Sequence, residues 1–172
     1  FDINILSVND KPVVTPIPDQ EIQEGESLSI ELSATDVDGD TDFTFSASSS
    51  LSEVTVSISE TNVLTLTTDD NYSGSADISI TANDGLEDSD TTQFTFVVQN
   101  INDPPVLASI LEPDAVDEDI SNITIQITPT DADGDDLTVE VLSSNTALIS
   151  NLTNDDILLV DDTYTLIFNP ID

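Results

Sequence analysis

The fold is decided by one segment, residues 76–82, which reads ADISITA. Apolar side chains occupy every second position, and this period of two is typical of a β-strand with one buried face. Residues 94–98, FTFVV, begin a second strand of the same kind. No window of the sequence shows the period of an amphipathic helix. The segment therefore predicts an all-β protein.

Further short strands are marked by the same alternation on the N-terminal side of this segment. Their inward positions are Leu28, Ile30, Leu32 and Ala34, then Phe43 and Phe45, then Val54, Val56 and Ile58, then Leu64 and Leu66. With a Pro-rich entry segment at residues 13–22, they give about seven short strands, the number typical of an immunoglobulin-like Greek-key sandwich.

The chain also repeats itself. Residues 1–13 match residues 94–106, and DVDGD at 36–40 returns as DADGD at 131–135. The two offsets agree closely, and a period of this length corresponds to a whole domain. We therefore predict tandem sandwiches, the second one incomplete. The inward positions of the second one are Ile123, Ile125 and Ile127, then Leu137, Val139 and Val141, then Tyr164, Leu166 and Phe168. The predicted boundaries are 1–8 for the last strand of a preceding repeat, 9–103 for a complete sandwich, and 104–172 for a sandwich that stops before its last two strands.

The sequence is strongly acidic: 36 Asp and Glu residues stand against one basic residue, Lys11, for a formal net charge of −35. Such a charge opposes compaction by self-repulsion, and it excludes nucleic acid and anionic membranes as partners. Cys, His and Met are absent, which excludes disulfides, thiol or imidazole catalysis and soft metal ligands. No apolar run is long enough for a spanning helix. Only oxygen ligands remain, and these suit hard cations.

Both copies of the acidic pentapeptide place Asp at alternate positions of a short loop. This spacing lets Asp36 and Asp38, and in the second copy Asp131 and Asp133, turn two carboxylates toward one point, as calcium sites require. A metal-free turn is the alternative, because Asp and Gly also favour turns. An EF-hand is excluded, because neither copy has its Gly at position six or its Glu at position twelve.

Other acidic motifs accompany these loops in a fixed order. They are Glu24-Gly25, ATDVDG at 34–39, Asp69-Asp70, ANDG at 82–85 and NINDPP at 100–105. This order resembles the cadherin repeat, in the form carried by large bacterial surface proteins. The resemblance implies calcium at each junction between successive domains. For the junction between the two repeats it implies the ligands Glu24, Asp69, Asp70, Asn100, Asn102, Asp103, Asp131 and Asp133. For a junction with a preceding repeat it implies Asn9, Asp10, Asp36, Asp38 and Asp84.

The function implied by the resemblance is mechanical and not enzymatic. Calcium (Ca2+) would stiffen a spacer or adhesion module of a multidomain extracellular protein, whose partners are neighbouring repeats of the same chain. Extracellular calcium modules bind at about 10⁻⁴ to 10⁻³ M, which implies a secreted or cell-surface location. Two alternatives stay open. One is a filament subunit completed by a strand from another copy, and the other is a carbohydrate-binding sandwich that recognises a surface glycan.

Overall fold

The computed structural model describes residues 8–110, 120–147 and 149–169, whose regular structure is β-strand apart from one 3₁₀ turn. The predicted strand of a preceding repeat lies outside the described residues, except for Val8. By its internal contacts the chain divides into two compact units, Phe1–Ile101 and Asn102–Asp172. Within the described ranges, no helix is long and apolar enough to cross a membrane.

The described part of the first unit contains nine strands. They are β1 (Val13–Val14), β2 (Gln20–Gln23), β3 (Leu28–Glu31), β4 (Ala34–Thr35), β5 (Thr44–Ser49), β6 (Val54–Ile58), β7 (Val63–Thr68), β8 (Gly74–Asn83) and β9 (Thr92–Gln99). One sheet has the order β2-β9-β8-β5, a second has the order β3-β7-β6, and β1 pairs with β4. All neighbours are antiparallel except β2 and β9, which run parallel. The chain passes repeatedly from one sheet to the other, as in a Greek-key sandwich.

The core of the first unit is formed by the positions that the alternation marked. Leu64 and Leu66 on β7, Ile78 on β8 and Phe96 on β9 are all fully buried. Their neighbours along each strand are mainly Ser and Thr, which face outward because successive side chains of a strand point to opposite faces. The structure therefore confirms the predicted all-β, immunoglobulin-like sandwich.

The second unit has a smaller described sheet. Its strands are β10 (Ile123–Ile127), β11 (Ile157–Val160) and β12 (Thr163–Phe168), which pair antiparallel in the order β10-β12-β11. The 3₁₀ turn, Asn154–Asp156, leads into β11. Ile127, Tyr164 and Leu166 form the buried centre.

Two features of the second unit differ from the alternation pattern. Residues 137–141 alternate between partly buried and exposed, as expected for a strand, but no described strand pairs with them. In the first unit β5 finds such a partner in β8, and a strand exists only where a neighbour completes its hydrogen bonds. In contrast, β11 was not predicted, because its sequence ILLV does not alternate.

Candidate metal centres

The first linker, Asn9 and Asp10, lies beside the loop that carries the DVDGD motif, as the second linker, Asn102 and Asp103, lies beside the second loop. Strand register explains why. β1 and β4 pair antiparallel, with Val13 opposite Thr35. Because antiparallel neighbours run in opposite directions, the residues before Val13 lie next to the residues after Thr35. The register therefore brings Asn9 and Asp10 to the loop at 36–40.

Carboxylates of this loop anchor both the linker and the loop's own backbone. The N–H of Asp10 donates to Oδ2 of Asp38 at 2.7 Å, and the N–H of Asp38 donates to Oδ1 of Asp36 at 2.7 Å. Gly39 has a φ of 89°, a conformation that favours glycine and allows the tight turn. The loop geometry therefore follows from the motif itself.

Asp84 reaches the same place from the end of β8. Its Oδ1 accepts hydrogen bonds from the N–H groups of Leu86 and Glu87, each at 2.7 Å. Its Oδ2 accepts one from Nδ2 of Asn9 at 3.0 Å. The N–H of Glu87, then the Asn9 amide and the N–H of Leu86, lower the pKa of Asp84 below its ordinary value. Asp84 therefore stays ionised and contributes a full negative charge.

Three carboxylates converge at this point, and we call Asp36, Asp40 and Asp84 the first acidic cluster. One oxygen from each lies within 4.8 Å of the other two. Oδ2 of Asp36 is buried and has no hydrogen-bond partner among the described residues, and such a group is costly unless something satisfies it. Calcium ligands lie about 2.3–2.6 Å from the ion, so two of them lie at most about 5 Å apart. The residues present therefore fit a calcium ion.

The second unit repeats this arrangement around its own loop. An antiparallel bridge between Val106 and Thr130 brings the linker to the loop. The N–H of Asp103 then donates to Oδ2 of Asp133 at 2.6 Å, and the N–H of Asp133 donates to Oδ1 of Asp131 at 2.9 Å. These are the counterparts of the two hydrogen bonds in the first unit.

The second loop also brings three carboxylates together. Oxygens of Asp131, Asp133 and Asp135 lie within 4.8 Å of one another, and we call these residues the second acidic cluster. The N–H of Asp135 donates to Oδ1 of Asp131 at 3.3 Å. The loop thus supplies all three acids of this cluster, whereas the first cluster takes one acid from the end of β8.

Most of the ligands implied by the cadherin resemblance fall into these two places. In the first unit the structure brings together Asn9, Asp10, Asp36, Asp38 and Asp84. In the second unit it brings together Asn102, Asp103, Asp131 and Asp133. Their binding of calcium stays a prediction.

The remaining predicted ligands lie elsewhere in the first unit. Oε2 of Glu24 accepts a hydrogen bond from the N–H of Ile101 at 3.2 Å. Asp69 and Asp70 lie exposed in the turn after β7, and Asn100 is exposed after β9. Neither group of three acids found among the described residues includes Glu24, Asp69 or Asp70. Their role as ligands also stays a prediction.

Sequence reasoning missed two residues of the clusters, Asp40 and Asp135. Each is the fifth residue of its pentapeptide, whereas the resemblance implies only the first and third as ligands. The signal was present, because the fifth Asp recurs in both copies. Sequence reasoning also gave no role to Lys11, whose Nζ pairs with Asp90 in the one ion pair that the described ranges contain.

Comparisons with known proteins agree with this fold. The profile of a family described as bacterial Ig domain matches residues 9–97, which is more than half of the chain. The chain belongs to the bacterial Ig domain family. This match tests neither the cadherin-like identity nor the metal ligands of this bacterial Ig domain protein. A search of curated proteins returned no match.

Solved structures that are similar to this chain include several that contain two consecutive domains. The chain is similar to a chimeric titin Z1Z2 functionalised with an exogenous decorin peptide, at 17% identity over 96% of this chain and 85% of that chain, with a TM-score of 0.38. It is similar to domains 5–6 of the S-layer protein SbsC, at 13% identity over 95% and 85%, with a TM-score of 0.40. It is also similar to the N-terminal Ig1-2 module of the Drosophila receptor protein tyrosine phosphatase DLAR, at 13% identity over 92% of this chain and 84% of that chain, with a TM-score of 0.38.

Proposed function

We propose that this chain is a calcium-binding spacer or adhesion module of a multidomain bacterial protein that acts outside the cell. The observation that carries the proposal is the recurrence of one arrangement in both units. In each, a linker Asp donates its N–H to the third Asp of the loop, at 2.7 Å in the first unit and 2.6 Å in the second. The linker backbone makes this bond in both units, so it holds the linker beside the loop and places an Asp at the same linker position each time.

The charge of the chain explains why these places need a cation. The one basic side chain, Lys11, pairs with Asp90 and not with the acidic clusters. Three carboxylates within 4.8 Å repel one another, and no residue in the described ranges donates to the buried Oδ2 of Asp36. A bound calcium ion would supply the missing positive charge. Asp36, Asp40 and Asp84 would hold it in the first unit, and Asp131, Asp133 and Asp135 in the second.

The mechanical consequence lies in the linkers. Asn9 and Asp10 precede the first sandwich, and Asn102 and Asp103 precede the second. A cation that draws the loop carboxylates together also fixes the linker residues that donate to them. Fewer residues then remain free to bend between successive repeats. The partners of each unit are therefore its neighbouring repeats, and the module has a structural role with no catalytic one.

An extracellular location follows from the expected affinity. Extracellular calcium modules bind at about 10⁻⁴ to 10⁻³ M, whereas cytosolic calcium sensors bind at about 10⁻⁷ to 10⁻⁵ M. The six acids of the two clusters are partly buried or exposed, and this access to solvent favours the weaker range. Such sites would fill outside a cell and stay empty in cytosol. Membership of the bacterial Ig domain family supports the same surface setting.

Thermal unfolding of the 172-residue chain tests the proposal. Ligand that binds only the folded state stabilises it by about 2.7 kcal/mol at a hundredfold excess over Kd. At a Kd of about 10⁻⁴ M this excess corresponds to about 10 mM calcium. We therefore expect the unfolding midpoint, measured by circular dichroism, to be several degrees higher in about 10 mM calcium than in EDTA. Magnesium should raise the midpoint less, because it keeps its water ligands and demands octahedral geometry.

The matched control for this experiment uses two acids of the second unit. Asp131→Asn should reduce the calcium-dependent rise, because Asp131 belongs to the second acidic cluster. Asp155→Asn removes the same charge from an exposed position in the 3₁₀ turn and should leave the rise unchanged. Identical melting curves in calcium and EDTA for the unaltered chain would contradict the proposal.

A further inference from the structure

Strand β11 of the second unit has an unpaired edge made of apolar residues. It is an outer strand in the order β10-β12-β11, so one side pairs with β12, and no described strand pairs with the other. Leu158, Leu159 and Val160 are 56%, 53% and 56% exposed. Soluble proteins usually protect such an edge with a charged residue or a proline. β11 contains neither, so its outer backbone groups can pair with an added strand.

The corresponding edge of the first unit has a different character. β6 is the outer strand of the order β3-β7-β6, and its exposed Ser57 lies opposite Thr65 on β7. In the second unit Leu158 lies opposite Thr165 on β12. The apolar outer surface is therefore a property of β11 and not of the fold, and an apolar sheet edge is where a partner strand adds.

A cavity of about 390 Å³ adjoins β11. Leu137, Leu159 and Tyr164 give it apolar walls, and the hydroxyl of Tyr164 donates to the carbonyl of Leu137 at 2.6 Å, which holds two of these walls together. Asp136, Asp162 and two members of the second acidic cluster also line it. Apolar walls beside carboxylates suit a lysine or arginine, whose stem is apolar and whose head is a cation.

The corresponding cavity of the first unit has fewer acids. Thr41 follows the first pentapeptide, where Asp136 follows the second. Asn62 precedes β7 with a φ of 59°, where Asp162 precedes β12 with a φ of 60°. Thr41 and Asn62 line the first cavity as Asp136 and Asp162 line the second. The cavity beside β11 therefore carries two additional negative charges.

Acids also lie at the other end of β11. Asp155 and Asp156 belong to the 3₁₀ turn that leads into the strand. Oδ2 of Asp156 accepts hydrogen bonds from the N–H and the hydroxyl of Thr153, at 2.9 and 2.7 Å, which fixes this carboxylate. A four-residue strand spans about 13 Å, so an extended segment of about six residues reaches both acidic ends. Charge complementarity then favours a segment with a basic residue at each end.

A second copy of this chain does not fit this edge. Residues 102–172 contain no Lys or Arg. The β11 of another copy would bring its own flanking acids against these, and like charges opposite each other destabilise a strand pair. The partner that the charges favour is therefore a different protein.

We propose that β11 is a docking edge for an extended segment of another protein, with apolar residues at alternate positions and a lysine or arginine at each end. The segment adds a strand to the sheet through main-chain hydrogen bonds. Its apolar side chains cover Leu158 and Val160, and one basic residue enters the cavity beside Asp162. This partner goes beyond the proposed function, because its binding needs no calcium.

The synthetic peptide KVTVTVK has this pattern and serves as the probe. It is titrated into the 172-residue chain in EDTA and physiological salt, and ¹H–¹⁵N NMR follows the amides. Saturable shifts are expected at Leu158, Leu159 and Val160, and none at Ser57 of β6. EVTVTVE lacks the basic ends, and KVTVTVK with N-methyl groups along one edge lacks main-chain donors. Each should bind at least about tenfold more weakly.

Two substitutions give this edge the residues of the first unit. Leu158→Ser copies Ser57 and should raise the Kd about fivefold, because apolar area is lost from the contact. Asp162→Asn copies Asn62, keeps a residue that tolerates positive φ, and should raise the Kd about threefold. Amide signals of β12 verify that each variant folds as the unaltered chain does.

The matched controls are Leu142→Ser and Asp42→Asn. Each makes the same change at an exposed residue outside β11 and its cavity, and each should leave the Kd within about twofold, because salt screens distant exposed charges. Equal effects of Leu158→Ser and Leu142→Ser would overturn the proposal. Equal binding of KVTVTVK and its N-methylated form would overturn it too, because the peptide would then bind without adding a strand.

The remaining outcomes concern the occupant. If KVTVTVK gives no saturable shift at β11, the docking edge is wrong. If the unaltered chain alone shows concentration-dependent shifts at β11 that the peptide does not reverse, the occupant is a second copy and the assigned partner is wrong. All these measurements are made in EDTA, so their failure leaves calcium binding standing, and the absence of calcium binding leaves this inference standing.

Discussion

The two units have nearly the same acidic loop but very different cores. Each loop accepts the linker N–H on its third Asp and donates that residue's own N–H to its first Asp. In the first unit 13 buried apolar side chains form one cluster, whereas the described part of the second unit has three buried hydrophobic side chains, Ile127, Tyr164 and Leu166. The loop therefore forms without a large sandwich beneath it.

This difference shows which level of structure each feature depends on. The loop is local: five residues, one glycine with positive φ and a two-residue linker specify it. The core is not local, because β5, β8 and β9 of the first unit form a sheet only by pairing with one another, and that sheet buries its inner face only against the opposite sheet. Residues 137–141 have the alternation of β5 but no described strand pairs with them, and Val139 and Val141 pack against the second core while only partly buried.

The largest predicted change in unfolding free energy comes from substitutions in the two cores, and it tests the contrast between them. Leu66→Ala removes a fully buried side chain of the first unit and should cost about 2–5 kcal/mol of unfolding free energy. Leu166→Ala removes a side chain that is 3% exposed in the second unit. It should cost less, because a small cluster relaxes around the lost volume more easily.

Urea unfolding measures both substitutions, with amide NMR signals of β8 reporting the first unit and those of β12 the second. Each substitution should lower the midpoint of its own unit and leave the calcium affinity of the other unit unchanged. Equal costs in the two units would contradict the view that their cores differ in energetic weight.

The success of the sequence prediction follows the same division between local and non-local features. Strands β7, β8 and β9 were predicted because each alternates and each has a partner that alternates. Strand β11 was missed because ILLV is apolar throughout, and residues 137–141 were assigned to a strand because a pattern along the chain cannot show whether a neighbour exists. Strand pairing is a property of the whole sheet, and a single segment carries no information about it.

For the candidate sites, the sequence predicted the acids that lie close together along the chain better than the acids that only the fold brings together. Asp10 was placed with the loop by the cadherin resemblance, and the pairing of β1 with β4 explains why the two meet. Asp84 followed only from the resemblance, because 75 positions separate it from the Asn9 amide that it accepts. Asp40 was not predicted because Asp36 and Asp38 alone fit the spacing of the implied ligands, whereas the fold brings the fifth residue back toward the first.

A smaller change in unfolding free energy is predicted for the two linkers, whose Asn residues make different contacts. Nδ2 of Asn9 donates to Oδ2 of Asp84 at 3.0 Å as well as to the carbonyl of Asp10 at 3.2 Å. Asn102 donates to the carbonyl of Asp103 at 3.0 Å. Asn9→Ala should therefore cost about 1 kcal/mol, as expected for one partly exposed hydrogen bond to a carboxylate.

Asn102→Ala is the matched control, and it should cost only a few tenths of a kcal/mol, because an exposed amide bonded to a neighbouring carbonyl is easily replaced by water. Both variants are compared by urea unfolding in EDTA, so that calcium contributes nothing. If Asn102→Ala costs as much as Asn9→Ala, the contact with Asp84 is not what holds the first linker in place.

The smallest effect concerns the one basic residue. Lys11 follows the first linker acid and pairs with Asp90, with side-chain exposures of 45% and 87%. A pair this exposed contributes about 0–1 kcal/mol, so Lys11→Gln should lower the unfolding free energy slightly at low salt. At 1 M salt, where screening acts over about 3 Å, the difference from the unaltered chain should shrink toward zero.

The corresponding position of the second linker is Pro104, which supplies the matched test. Pro104→Lys adds a positive charge beside Asp103 without a described counterpart of Asp90 to receive it. If the specific ion pair with Asp90 is what stabilises the first linker, Pro104→Lys should leave the unfolding free energy unchanged, because the added lysine has no such partner. If general neutralisation of the acidic chain is what matters, Pro104→Lys should stabilise as much as Lys11→Gln destabilises. Thermal unfolding in EDTA at two salt concentrations separates these cases. A specific ion pair stabilises only where its partner is present, whereas a reduction of the net negative charge stabilises at either linker.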